Sequence, residues 1–247
     1  MCGLPLIKAS RELCRRVRGL AFSDPVAYVY NPLEYARSPY EAYISRYGSG
    51  RKRVLFLGMN PGPWGMAQTG VPFGEVSAVR DWMGISAGVD FPEIQHPSRQ
   101  VLGFDCPRSE VSGRRLWGLM LERYGPAENF FKDQYVSNYC PLMFLEKSGR
   151  NRTPNRLKVT EQRVLFEACD RHLHAVIEAL KPKWVIGVGR FTEGRIRIVR
   201  DRCTYKGFVT GGILHPSPAN PQANRNWCRR VTQTLISLGA WEREGED

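Results

Sequence analysis

Val54-Leu55-Phe56-Leu57-Gly58 runs directly into Met59-Asn60-Pro61-Gly62-Pro63-Trp64-Gly65. Five apolar or small residues bounded by turn formers read as a strand buried on both faces, the kind found in parallel sheets. From Gly58 to Gly74 the chain carries five glycines and three prolines, so the segment after the strand is a shaped loop and not a linker. Three more runs repeat the pattern: Gln134 to Tyr139, Trp184 to Gly189, and Phe208 to Leu214. Helical patterns fall between and around them. The sequence predicts helices over Pro5–Leu20, from Pro32 to about Tyr47, over Glu75–Met83, Ser112–Tyr124 and Pro126–Lys132, from about Thr160 to Leu180 with Thr160 as cap, over Thr192–Arg200, and from about Gln222 to Leu238. A polar loop is expected from Lys147 to Arg156. Strands alternating with helices imply an α/β protein. The expected architecture is a three-layer α/β/α sandwich around a central, mainly parallel sheet of about four strands, with residues 1–247 as one domain.

Composition narrows the class. The net charge is +12, from 36 basic and 24 acidic residues, which suits a polyanionic partner. No apolar run approaches membrane-spanning length, and the N-terminus has no secretory core, so a soluble, non-secreted protein is expected. The seven cysteines (Cys2, Cys14, Cys106, Cys140, Cys169, Cys203 and Cys228) are dispersed and include no CxxC. That pattern predicts reduced thiols, with no metal and no cofactor. Gly187-Val188-Gly189 lacks the third glycine of a dinucleotide fingerprint and reads as helix–sheet packing.

Polar groups just past strand ends are the candidates for chemistry, because parallel strands place their carboxyl ends on one rim. Asn60 can hold a water by its amide oxygen, bond a ligand, or close a turn on its own loop. His215 can donate a hydrogen bond to developing negative charge or be satisfied locally. Asn138 carries a donor and an acceptor on one planar edge, as a nucleobase does; otherwise it caps the turn before Pro141. Phe73 can stack on a flat ring or anchor its loop. The turn Ser217-Pro218-Ala219-Asn220-Pro221 leads into Asn224, Arg225 and Arg229. It can act as a wedge in a duplex, with phosphates held at a helix N-terminus.

These segments resemble a known family. Gly58 to Pro63 on to Gly74, and His215-Pro216-Ser217-Pro218 on to Asn224, are similar to the two signature motifs of the single-strand-selective monofunctional uracil-DNA glycosylases. Tyr30–Tyr35, Val79–Trp82, Ser109–Gly113 and Ser148–Asn151 carry the resemblance further, so that it covers about Phe22 to Leu238. The resemblance implies a uracil-DNA glycosylase-like fold. It also implies a DNA-repair hydrolase that cleaves the N-glycosidic bond of uracil and of 5-substituted uracils such as 5-hydroxymethyluracil, leaving an abasic site and an unbroken strand.

By the same resemblance, Asn60 positions the attacking water and His215 stabilises the departing base. Asn138 reads the pyrimidine edge, Phe73 stacks on it, and the Met59 backbone contacts it. Gly62 leaves room for a water or a 5-substituent. Pro216, Ser217, Pro218, Ala219, Asn220, Gln222, Asn224 and Arg225 contact DNA near the flipped nucleotide. The implied partner is DNA, single- or double-stranded, engaged by a monomer with no membrane involvement. The compartment is cytoplasmic or nucleoid-associated in a bacterium and nuclear in a eukaryote. Two residues depart from the family pattern: Ala219 stands where a basic wedge residue is usual, and Trp64 replaces a Phe. A non-catalytic damaged-DNA-binding protein and a hydrolase of free nucleosides fit parts of the same pattern.

Overall fold

In the computed structural model, which describes residues 3–243, the four expected strands form one parallel sheet. They are β2 (Val54–Gly58), β3 (Gln134–Asn138), β6 (Trp184–Val188) and β7 (Val209–Ile213), in the order β3-β2-β6-β7. Every residue of β2, β3 and β6 is buried; β2 and β6 are the unbroken apolar runs this requires, while β3 also buries Gln134, Ser137 and Asn138. One layer holds α7 (Val159–Leu180), which packs on α8 (Arg190–Arg200) and on α1 (Leu4–Val17). The opposite layer holds α5 (Val111–Tyr124), α6 (Ala127–Phe131) and α9 (Trp227–Ser237), where Phe56 stacks on Phe130 and Trp184 donates its indole N–H to the Leu238 carbonyl at 3.0 Å. The fold is the expected α/β/α sandwich. No described helix is long and apolar enough to cross a membrane.

At β3 the sheet has an open edge. There α3 (Arg37–Tyr47) lays Tyr43 against Tyr135, and the Tyr43 hydroxyl donates to the Val136 carbonyl at 2.9 Å. Such a cover removes an edge that another strand could otherwise pair with. Gly187 does what its spacing predicts. A Cβ there would lie 2.7 Å from Glu193 Cα and nearer still to its backbone nitrogen, so α8 rests directly on β6. Gly187→Ala is expected to destabilise the protein by about 1–3 kcal/mol through overpacking against backbone, read as a lowered melting temperature. An unchanged melting temperature would show that α8 has room to move.

Several local expectations differ from what is found. The helix expected over Pro32–Tyr47 is two: α2 (Pro32–Tyr35) and α3, broken at Ala36. Pro39 has no N–H to offer the Tyr35 carbonyl, which accepts from the Asp90 N–H at 2.8 Å instead. The cap of α7 is not Thr160, which lies inside the helix; the Glu161 carboxylate accepts from the Lys158 N–H at 3.0 Å.

The polar loop expected over 147–156 contains β5 (Asn151–Arg152), which turns back on β4 (Met143–Leu145) through a glycine at φ 78°, Gly149. With β1 (Tyr28–Tyr30) these make a second, antiparallel sheet in the order β1-β4-β5. The last helix begins at Trp227 and not near Gln222. A short 3-10 turn, Pro221–Asn224, precedes it, and Arg225 and Asn226 form an extended and then left-handed joint. Six cysteines are free thiols; Cys2 lies outside the described residues.

Candidate active site

The carboxyl ends of β2, β3 and β7 deliver Asn60, Asn138 and His215 to one cavity of about 330 Å³. Met59, Gly62, Phe73 and Ser217 line it as well, so all the expected catalytic and base-binding residues are brought together. Parallel register does most of this: Gly58 pairs with Asn138, and the pairing extends past the strand ends through the Cys140 N–H donating to the Met59 carbonyl at 2.8 Å.

Asn138 is buried, and its amide is almost idle. Its Nδ2 faces only the Met66 sulfur at 3.1 Å, and its Oδ1 has no partner. A buried acceptor without a partner costs about 1–3 kcal/mol, so its presence calls for an explanation. The side chain lies over Gly58 together with the Phe73 ring: a Cβ on Gly58 would sit 2.5 Å from Phe73 Cε2 and nearer still to Asn138 Oδ1. Gly58 is therefore where amide and ring approach the backbone. Phe73 itself holds φ at 54°, a left-handed value uncommon outside glycine. Its carbonyl is gripped by the Trp117 indole N–H at 3.0 Å and the Glu75 N–H at 2.7 Å. The Phe73 and His215 rings lie 6.2 Å apart between centroids.

His215 has a defined tautomer. Its Nδ1 accepts the Ser217 N–H at 3.0 Å, which leaves the proton on Nε2. Burial pulls its pKa down to about 4, so at neutral pH the ring is an uncharged donor. Asn60 donates through Nδ2 to the carbonyls of Pro61 at 3.4 Å and Leu142 at 3.3 Å. That turns Oδ1 away from both, and no described group donates to it.

The Glu110 carboxyl stands where a side chain on Gly62 would go, while Gly62 itself lines the cavity. A Cβ on Gly62 would lie 2.9 Å from Glu110 Cδ, and the Trp64 N–H donates to Glu110 Oε2 at 3.4 Å. Burial raises the Glu110 pKa despite hydrogen bonds from backbone N–H groups. Glu110 and Asn151, which also lines the cavity, have no assigned part in the sequence reading. Both lie in segments that carry the family resemblance, Ser109–Gly113 and Ser148–Asn151, which was the one signal pointing to them. Trp64 is flanked by the guanidinium groups of Arg99 and Arg108, 5.3 and 4.8 Å from its ring centroid.

The turn after His215 is cross-tied by side chains. Arg115 donates to the Pro216 carbonyl at 2.9 Å and to Asn224 Oδ1 at 3.0 Å, and Asn224 Nδ2 donates to the Pro218 carbonyl at 3.0 Å. Asn220 Oδ1 accepts from the Gln222 N–H. Pro218 and Ala219 stand exposed at the tip, while Pro216 is buried. Arg225 sits in the extended joint and not on a helix, and the proposed helical phosphate cradle is a four-residue 3-10 turn. Arg115 was missed because its contacts span about a hundred residues of sequence.

Other features lie away from this cavity. A larger cleft of about 870 Å³ between α1, α7 and α8 is lined by arginines, of which Arg16, Arg171, Arg195 and Arg202 are already paired with carboxylates. His174, Glu178 and Cys203 converge closely enough to hold a metal ion. They do so at the far end of α7, and Glu178 already accepts the N–H groups of Thr204 and Tyr205.

A parallel-sheet rim carrying two amides, a neutral imidazole and an aromatic ring is equipment that can grip a flat, polar ring and stabilise charge leaving on it. The chain belongs to the uracil DNA glycosylase superfamily, whose family model matches residues 45–236. It is 49% identical over 223 residues to the single-strand selective monofunctional uracil DNA glycosylase of Bos taurus, covering 90% of this chain and 82% of that one. To the Rattus norvegicus enzyme of the same description it is 49% identical over 220 residues, covering 89% and 79%. The crystal structure of wild-type Pedobacter heparinus SMUG2 shares the fold, with a TM-score of 0.65 at 19% identity, covering 94% of this chain and 97% of that one.

Proposed function

We propose that this chain is a monofunctional uracil-DNA glycosylase of DNA repair, a hydrolase that cuts the bond between uracil and deoxyribose and leaves the abasic strand intact. The observation that carries this reading is the meeting of Asn60, Asn138, Phe73 and His215 in one cavity, in a chain nearly half identical to relatives of that description. The target nucleotide leaves the stack to enter the cavity. Phe73 lies against the ring face and the Met59 backbone against its edge. Asn138 Oδ1 accepts from N3–H while Nδ2 donates to O4, a pattern that cytosine inverts.

The C1′–N1 bond then breaks with its electron pair leaving on the base. Nε2–H of His215 donates to O2, where that charge collects. The sugar becomes cation-like, so a water oriented by Asn60 suffices without a strong base. The exposed Pro218–Ala219 tip, flanked by Ser217, Asn220, Gln222 and Arg225, meets the DNA beside the vacated position. Asn224 supports it from behind, since its side chain is tied into the loop. Ala219 gives the tip little bulk or charge, which favours substrates that open easily. The candidate residues all come from one chain, which supports action as a monomer. Its compartment is that of the DNA it serves: cytoplasmic or nucleoid-associated in a bacterium, nuclear in a eukaryote.

Oligonucleotides carrying uracil, 5-hydroxymethyluracil, hypoxanthine, xanthine or thymine, single-stranded and duplex, test the reading. Uracil and 5-hydroxymethyluracil strands are expected to break only after alkali. Binding without alkali-labile sites would instead mark a non-catalytic damage binder. Asn138→Asp is expected to change preference among uracil, xanthine and cytosine while DNA affinity stays nearly the same, because one donor of the reading edge is lost. An unchanged preference would remove Asn138 from base recognition.

A further inference from the structure

Asn151 reaches the cavity from the small second sheet. Its strand β5 pairs with β4, placing Asn151 opposite Leu145, three residues beyond the carbonyl of Leu142 that holds Asn60. Asn151 Nδ2 donates to the Pro61 carbonyl at 3.2 Å, and Asn60 Nδ2 donates to the same oxygen at 3.4 Å. A carbonyl oxygen has two lone pairs, and here both are taken by amide nitrogens. Neither amide can be turned over, since that would set an oxygen against Pro61 O. Both Oδ1 atoms are thereby left as acceptors only, on two side chains that are tied to one carbonyl and line one cavity. Asn151 Oδ1 is buried and has no partner, and no described group donates to Asn60 Oδ1.

A water has two protons to donate and needs a lone pair free to attack. Two fixed acceptors satisfy both protons and point the remaining lone pair elsewhere, whereas one acceptor leaves the water free to swing. We infer that Asn151 is a second catalytic amide, which together with Asn60 clamps the attacking water. The inference rests on the glycosylase reading above. In the step so assisted, the C1′–N1 bond breaks and its electron pair leaves on uracil. The clamped oxygen forms the C1′–O bond, and the proton it sheds is taken up by the uracil anion, giving uracil and the hemiacetal sugar. The amides orient and do not take the proton, which they are too weakly basic to hold.

The test compares wild type, Asn151→Ala, the near-isosteric Asn151→Leu, Asn60→Ala and the Asn60→Ala/Asn151→Ala pair. Single-turnover excision is measured on a uracil oligonucleotide, and binding on the same oligonucleotide carrying non-cleavable 2′-fluorodeoxyuridine. Both Asn151 variants are expected to lose about a hundredfold in excision rate, the scale of letting a reacting group drift by about an ångström, with binding within about twofold of wild type. The double variant is expected to be little slower than Asn60→Ala, because residues acting on one water are not additive. Excision by the Asn151 variants within twofold of wild type overturns the inference. So does a parallel loss of 2′-fluorodeoxyuridine binding, rate losses that multiply in the double variant, or failure of both Asn151 variants to fold, since each makes the residue structural or independent of Asn60. Failure of wild type to release uracil would instead reject the glycosylase reading itself.

Discussion

Replacing His215 with alanine is expected to slow uracil excision by about a hundredfold or more, the usual cost of removing one preorganised donor from a developing anion. The loss should fall on the single-turnover rate and leave the melting temperature nearly unchanged. The tautomer makes a second, sharper expectation. With Nδ1 committed to the Ser217 N–H and the pKa drawn down to about 4 by burial, the ring is already neutral at pH 6. An exposed histidine acting as a cation would lose activity as pH rises through about 6.5. This one should show no step there, and a His215-dependent change should appear only as pH falls towards 4. A fall in excision rate centred near pH 6.5 in wild type but absent from His215→Ala would mean that the ring works charged. A His215→Ala rate within tenfold of wild type would remove it from the leaving-group role.

The parts of this site that could be read from sequence are those that parallel strands make regular. Val54–Gly58 and Trp184–Val188 are apolar throughout because both sheet faces are covered, and such runs stand out. Once those strands are parallel, Asn60, Asn138 and His215 must lie on one rim, however far apart in sequence. The unreadable parts have other causes. Strands of two or three residues, such as β5 and β1, carry no periodicity, so the second sheet left no trace. The break at Ala36 was written in Pro39, but Pro32, a good helix opener, concealed it. The left-handed Asn226 that delays α9 looks like any helical asparagine. Asn151 touches Pro61 across 90 residues and Glu110 touches Trp64 across 46, and no local pattern encodes such contacts. Glu110 also adds to the role expected of Gly62: the missing side chain admits a carboxyl of the protein's own, and a 5-substituent on that side would have to share the room.

Asn60→Ala is expected to match the His215 loss, about a hundredfold or more, by releasing the water. Asn60→Asp separates orientation from base catalysis. In the native site the amide nitrogen faces two carbonyl oxygens, of Pro61 and Leu142, at 3.4 and 3.3 Å. A carboxylate in its place sets a negative oxygen against both, with no donor to offset them. Protonated, the same group can donate its hydroxyl to one carbonyl and turn the other oxygen to the water, as asparagine does. The pocket therefore favours the neutral acid and raises the pKa of the new residue. If Asn60 works by orientation alone, Asn60→Asp should approach the wild-type rate near pH 5 and fall away as pH rises to 8 and the carboxyl ionises. If catalysis instead wants a base at this position, the slope reverses: the rate climbs with pH as the carboxylate forms and passes that of wild type. Single-turnover excision by Asn60→Asp and wild type across this range decides between the two. A rising limb would overturn both the neutral-amide mechanism and the clamp built on it, because a water that gives its proton to a carboxylate needs no second acceptor to hold it.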